Sequence, residues 1–192
     1  MRVSNILIVG VGGQGTLLAS KVLGALALET GNDVKVSELH GMAQRGGSVV
    51  THVRFGSEVH APLIDEGGAD VILAFEKLEA ARYLNYLKLN GSIIYNEQEI
   101  LPMPVIMGAT TYPEVSGLLQ ASASKIYAVD ARGMACACGN ERALNVVLLG
   151  VLAQCMDFEK ESWLTALRAV ISPKFLELNL AAFEQGYAFD LN

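Results

Sequence analysis

The stretch Ile6-Leu-Ile-Val-Gly-Val-Gly-Gly-Gln-Gly15 decides the fold. Residues 3–9 form an apolar run broken only by Ser4 and Asn5. The run stops at a turn spaced Gly10-x-Gly12-x-x-Gly15, which also holds Gly13 and Gln14. Residues 16–29 then carry Leu18, Val22, Ala25 and Leu26 at helical spacing, and Gly31-Asn32 closes that helix. Residues 33–39 read as a second short strand. Strand, glycine turn, helix and strand, in that order, open a parallel doubly wound sheet. The glycines permit a tight turn and let an anion approach the backbone N–H groups at the helix start.

The turn admits more than one ligand. Glu38 lies near the ~20-residue offset at which a dinucleotide site places an acid for the ribose, which keeps NAD(P) or FAD binding open. The same glycines also serve close packing of strand, turn and helix, or a different anion. Gln14 stands where a nucleotide-hydrolysing loop would carry lysine, so nucleotide hydrolysis is disfavoured. The second strand runs into another glycine-bearing loop, His40-Gly-Met-Ala-Gln-Arg-Gly-Gly47. Both loops follow strands of one sheet, and ligand crevices form at that carboxyl edge. Arg45 is the strong cation there, able to grip a phosphate or carboxylate or to make a structural contact. Gln44 precedes it, and Gly46 and Gly47 allow close backbone approach. His40 is the best placed of three histidines; His52 and His60 fall in an expected hairpin, and no spacing suggests a zinc helix. The sequence offers a binding cleft more clearly than a reaction centre.

Further along, residues 48–55 alternate, with Val49, Thr51, Val53 and Phe55 on one face. A turn at Gly56-Ser57 leads to residues 58–63 as the hairpin partner. Residues 69–74 read as a buried parallel strand, 76–87 as a helix closed by Asn90-Gly91, and 92–95 and 104–107 as strands. Pro113 suits the first turn of a helix reaching about Ser124, and 126–129 form a strand. Helices are expected at 142–156, 160–170 and 173–185. The expectation is a single domain over 1–192: an open, mostly parallel α/β sheet of Rossmann-like type, with a β-hairpin insertion and a mainly helical region from about 141.

Composition removes several classes. Lys and Arg total 14 against 20 Asp and Glu, and no basic cluster occurs, so nucleic acid is not an expected partner. The longest greasy stretch, residues 143–151, is too short to span a bilayer, and no signal-peptide layout is present, which makes the cytoplasm the expected location. Cys136, Cys138 and Cys155 lack the spacing of a zinc or iron–sulfur site and read as buried thiols. With only 18% charged residues, some surface is expected to be covered by a partner.

Two segments together carry a resemblance: residues 6–15 and Ser37-Glu-Leu-His-Gly-Met-Ala-Gln-Arg-Gly-Gly-Ser-Val49. The pair resembles the gamma-type domain of 2-oxoacid:ferredoxin oxidoreductases, and the His-Gly-Met-Ala-Gln-Arg-Gly-Gly form resembles the small subunit of the indolepyruvate type. The likeness extends through Asp70-Val-Ile-Leu-Ala-Phe-Glu76 and Ala143-Leu-Asn-Val-Val-Leu-Leu-Gly150. It implies a non-catalytic subunit supporting CoA-dependent oxidative decarboxylation of an aryl pyruvate to an acyl-CoA. Thiamine diphosphate, magnesium and 4Fe-4S clusters would sit on a large alpha subunit, with ferredoxin reached through the complex. The resemblance assigns no cofactor to this chain itself, and its two glycine loops (Gly10, Gly12, Gly13, Gln14 and Gly15; His40, Gln44, Arg45, Gly46 and Gly47) would edge a cleft for the phosphates of CoA or for the partner's cofactor region. A homodimer of the isolated chain stays open. The alternatives are a free NAD(P)- or FAD-binding protein and a homo-oligomeric interaction protein without a ligand.

Overall fold

Burial on both faces makes the first apolar run the centre of the sheet. In the computed structural model, which describes residues 3–41, 46–122 and 125–191, strand β1 (Ser4–Val11) has neighbours on both sides. Ile6 and Ile8 enter one hydrophobic cluster and Leu7 and Val9 the other. That alternation is the period of two that a strand imposes.

The remaining strands are β2 (Asp33–His40), β3 (Ser48–Gly56), β4 (Ala69–Ala74), β5 (Leu87–Asn96) and β6 (Lys125–Val129). Their order across the sheet is β2-β3-β1-β4-β5-β6. β1, β4, β5 and β6 pair in parallel, while β3 is antiparallel to both β1 and β2. Among the described residues β3 is therefore the one strand running against the rest, and the sheet is mostly parallel as expected. The connection from β2 is too short for a crossover, so the chain has to return antiparallel. β3 thereby takes the place beside β1 that a simple strand-helix-strand unit gives to β2.

This corrects the hairpin. The antiparallel partner of β3 is β2, not residues 58–63, which form no strand. Arg54 Nη1 donates to the carbonyls of Ala61 and Leu63 at 2.9 Å each, and Asp33 accepts from Val59 N. Side chains satisfy that backbone in place of a ladder. The helix expected over 76–87 is also shorter: α2 covers Lys77–Arg82. Asn90-Gly91 closes no helix; it lies within β5, where the register against β4 shifts and Asn90 has φ 64°. Residues 104–107 are not a strand, because Met103–Ile106 make one helical turn, α3, behind Pro102.

Helices cover both faces. α1 (Thr16–Glu29) matches its expected range. α4 (Ser116–Ser122) starts after Pro113, with Glu114 accepting from Ser116 N. α5 (Ala131–Ala137) follows β6 directly. α6 (Leu144–Gln154), α7 (Lys160–Val170) and α8 (Pro173–Tyr187) are the three C-terminal helices the sequence predicts. α1, α6, α7 and α8 contribute to one cluster, and α2 and α4 to the cluster on the opposite face. α6 is buried all round, which explains its unbroken apolar sequence. It crosses α8 where Gly150 meets Gly186; a Cβ on Gly186 would strike the Val147 carbonyl. Among the described residues no helix is long and apolar enough to cross a membrane.

Candidate functional site

The carboxyl ends of β1, β2 and β4 share one rim of the sheet with the start of β3. The glycine turn occupies the centre of that rim. Gly10 ends the strand where a Cβ would come within 2.9 Å of Gln14 Oε1 and 3.1 Å of Phe75 Cβ. Gly15 caps α1 at φ 89°, and its missing side chain leaves room for the Asn145 amide. Both positions require glycine, for different reasons.

Gln14 is a brace. Its Oε1 accepts from Val11 N at 2.7 Å, and its Nε2 donates to the Phe75 carbonyl at 2.8 Å. It therefore ties the ends of β1 and β4 together. The other glycine loop is bound to the turn through Gly12 N, which donates to the Gly47 carbonyl at 2.9 Å.

Two clefts flank the turn. One, of about 370 Å³, is lined by Gly12, Gly13, Gly15 and Thr16 on the turn side and by Glu38, His40 and Val49 on the strand side. Glu38 and His40 are exposed at its mouth. The second, of about 600 Å³, shares Gly13, Gln14 and Gly15 and adds Gln98, Arg132, Glu141, Arg142 and Asn145. Arg132 donates through Nε and Nη2 to Glu141 Oε2 at 2.9 and 2.7 Å.

The second cleft is where two helices start. α1 and α6 both begin on its wall, neither has a side-chain cap, and neither has an acid in its first turn. The uncapped start of α1 and its dipole favour an anion, whereas at the start of α6 the Leu144 and Val146 N–H groups already donate to the Glu141 carbonyl and to Asn145 Oδ1, and the Glu141 carboxylate shares the wall. Asn145, on the first turn of α6, is 4% exposed; its Nδ2 donates to the Gly15 carbonyl at 3.4 Å. The guanidiniums of Arg132, held by Glu141, and of Arg142 also stand on this side.

Gly12, Gly13, Gly15 and His40 thus share one cleft with Glu38, and Gly13, Gln14 and Gly15 line the other. Gly10 supports the turn from inside. Gly46 lines a third cavity with Ser48, Glu76 and Glu79. Gln44 and Arg45 lie outside the described residues. Gln98, Arg132, Arg142 and Asn145 were not singled out from sequence. Their signal was present: Gln98 and Arg132 follow β5 and β6 closely, and Arg142 precedes a helix.

Other chemistry-bearing groups are structural. His52 is buried; its Nδ1 accepts from Ile64 N at 3.1 Å, and its ring meets Tyr86 edge-on. Burial, helped by Arg54, pushes its pKa down. The cysteines are not the buried thiols expected: Cys136 is exposed on α5, which turns its small-residue face only partly inward, and Cys138 and Cys155, at the C-terminal ends of α5 and α6, are half-buried. Among the described residues no group of three or more His, Cys, Asp or Glu could hold a metal ion.

A glycine turn between two clefts, at the carboxyl edge of a mostly parallel sheet, defines a Rossmann-like α/β domain. The chain belongs to the pyruvate ferredoxin/flavodoxin oxidoreductase family, whose model matches residues 5–189. It is 44% identical to the indolepyruvate oxidoreductase subunit IorB of Thermococcus kodakarensis over 97% of this chain and 95% of that protein. It is 43% identical to the protein of that name from Archaeoglobus fulgidus, over 95% and 93%. Among solved structures, the keto/oxoacid ferredoxin oxidoreductase gamma subunit of Geobacter sulfurreducens superposes with a TM-score of 0.72 at 23% identity, covering 96% of each chain. The 2-oxoglutarate:ferredoxin oxidoreductase of Magnetococcus marinus, solved with 2-oxoglutarate, coenzyme A and succinyl-CoA bound, gives 0.74 at 20% identity; the match covers 98% of this chain and 31% of that one. These structural likenesses concern the fold.

Proposed function

We propose that this chain is the small subunit of an indolepyruvate-type 2-oxoacid:ferredoxin oxidoreductase working in the cytoplasm. The observation that carries the reading is the 44% identity to an IorB subunit along nearly the full length of both chains. The large subunit holds thiamine diphosphate, magnesium and 4Fe-4S clusters, which supply decarboxylation and electron transfer to ferredoxin. The described cysteines of this chain form no ligand set, so no redox step is routed through them. The family match lends no support to a free NAD(P)- or FAD-binding protein or to a ligand-free oligomer.

The small subunit's part is binding and orientation. Both clefts border the turn, and their linings differ in charge. The phosphates of coenzyme A belong on the side of Arg132, Arg142, Asn145 and the start of α1, where guanidiniums and a helix dipole favour an anion. Glu38 and His40 suit hydroxyl or amide groups of the same ligand on the other side. Gly46 and Gly47 lie at this rim, and Gln44 and Arg45 are proposed, from the sequence alone, to serve the same ligand.

The test is reconstitution. Mixing the chain with its large subunit is expected to restore CoA-dependent dye reduction by indolepyruvate. An equal rate from the large subunit alone would overturn the reading. Within the active complex, Arg142→Gln is expected to raise the KM for CoA about tenfold, the value of one charge-assisted hydrogen bond; an unchanged KM removes Arg142 from the site.

A further inference from the structure

Glu79 is a buried carboxylate that α2 does not need. Its neighbour Glu76 already caps that helix, accepting from Glu79 N at 2.9 Å. Glu76 also accepts from Ile100 N and from the Tyr112 hydroxyl, which accounts for its burial. The carboxylate of Glu79, a residue 5% exposed, reaches out of the helix instead. Its Oε2 accepts from the Ser48 hydroxyl at 2.5 Å, and its Oε1 pairs with Arg82 Nε at 3.1 Å. Tyr83 Oη lies 3.3 Å from the same Ser48 oxygen. A carboxylate is kept from water only where donors compensate it. Among the described residues, the hydrogen bond that carries it beyond the α2 region is the one to Ser48.

Ser48 opens β3 and closes the second glycine loop. The residue before it, Gly47, accepts from Gly12 N. Two adjacent residues thus tie the loop base to two elements: Gly47 to the glycine turn, Ser48 to α2. Gly46 shares a cavity of about 340 Å³ with Glu79, while Val49 faces the cleft that holds Glu38 and His40. A displacement of Ser48 passes through one peptide bond to the Gly12 contact and through another to the cleft wall.

We propose that Glu79, acting through Ser48, is a positioning residue that fixes the Gly46-Gly47 loop base against the Gly12 turn and sets the shape of the cleft between that turn and β2. Glu79 touches no ligand in this scheme.

Two readouts test it, and only the second rests on the proposed CoA-dependent activity. Amide exchange at Gly12 in the full chain reports the Gly12–Gly47 contact directly. Ser48→Ala and Glu79→Leu, each of which removes one partner of the hydrogen bond, are expected to speed that exchange about tenfold, while Ser48→Thr, which keeps the hydroxyl, leaves it near the native rate. In the assembled enzyme Ser48→Ala raises the KM for CoA about tenfold and changes kcat far less. Native exchange at Gly12 in a folded Ser48→Ala chain overturns the latch; faster exchange with an unchanged KM overturns its effect on the cleft. Should Ser48→Ala not fold, Glu79→Leu and Ser48→Thr carry the same comparison. A wild-type complex without CoA-dependent turnover removes the functional reading, and Gly12 exchange still decides the latch.

Discussion

Gly15 concentrates two demands at one residue. Its φ of 89° is costly for any side chain, and the space a Cβ would fill belongs to Asn145. Gly15→Ala is expected to destabilise the chain by about 2–3 kcal/mol, read from the urea midpoint. Glu79 gives a signature in pH. Burial raises its carboxyl above the ordinary range, with Ser48 and Arg82 opposing and Glu76 adding to the rise. A raised folded pKa means that the folded chain binds the proton more tightly than the unfolded one. Stability from this group is therefore greatest at low pH and falls as pH climbs from the unfolded value of about 4.5 through the folded one. Glu79→Gln is expected to flatten that stretch of the profile of Tm against pH. An unaltered slope would show that another group sets it.

At the scale of elements, the tightest packing lies between α6 and α8. Gly150 approaches the Phe183 carbonyl and Gly186 the Val147 carbonyl so closely that a methyl on either helix forces them apart. Gly186→Ala is expected to cost at least about 3 kcal/mol, the upper end for overpacking, because backbone cannot yield as a side chain can. Guanidinium denaturation of that variant checks the figure. Elements with a strong period were legible in the sequence: β1, α1, β4 and the three C-terminal helices have the expected character. Where tertiary contacts override local pattern, the reading went astray. Residues 58–63 look like a strand, but Arg54 reaches across to take their carbonyls. Asn90-Gly91 looks like a helix stop, but it lies in a register shift of β5 where a Cβ on Gly91 would come 3.1 Å from the Ala69 carbonyl. The glycine turn and His40 could be found from spacing alone. The arginine side of the site could not, because Arg132, Arg142 and Gly15 are brought together by the parallel order of β1, β5 and β6.

For the whole molecule, one sheet separates two hydrophobic clusters, and its strands contribute to both. Neither face can come apart without disturbing the other, so unfolding is expected to be a single cooperative transition. The lone tryptophan makes this measurable. Trp163 is fully buried against Phe183 in the α1/α6–α8 cluster, which also takes Tyr127 and Tyr187, whereas the other four tyrosines, Tyr83, Tyr86, Tyr95 and Tyr112, pack on the other face. Tryptophan fluorescence, tyrosine absorbance and far-UV circular dichroism should share one midpoint; separate midpoints would show that the two faces melt independently. The reversed strand β3 bears on how such a molecule assembles. β2 and β3 are neighbours in the chain, so they can zip up locally before distant partners arrive. β1 and β4 meet only by closing a far longer stretch. The strand that breaks the parallel rule is thus the part of the sheet centre cheapest in chain entropy to form, and once paired it offers β1 a ready edge on which to dock.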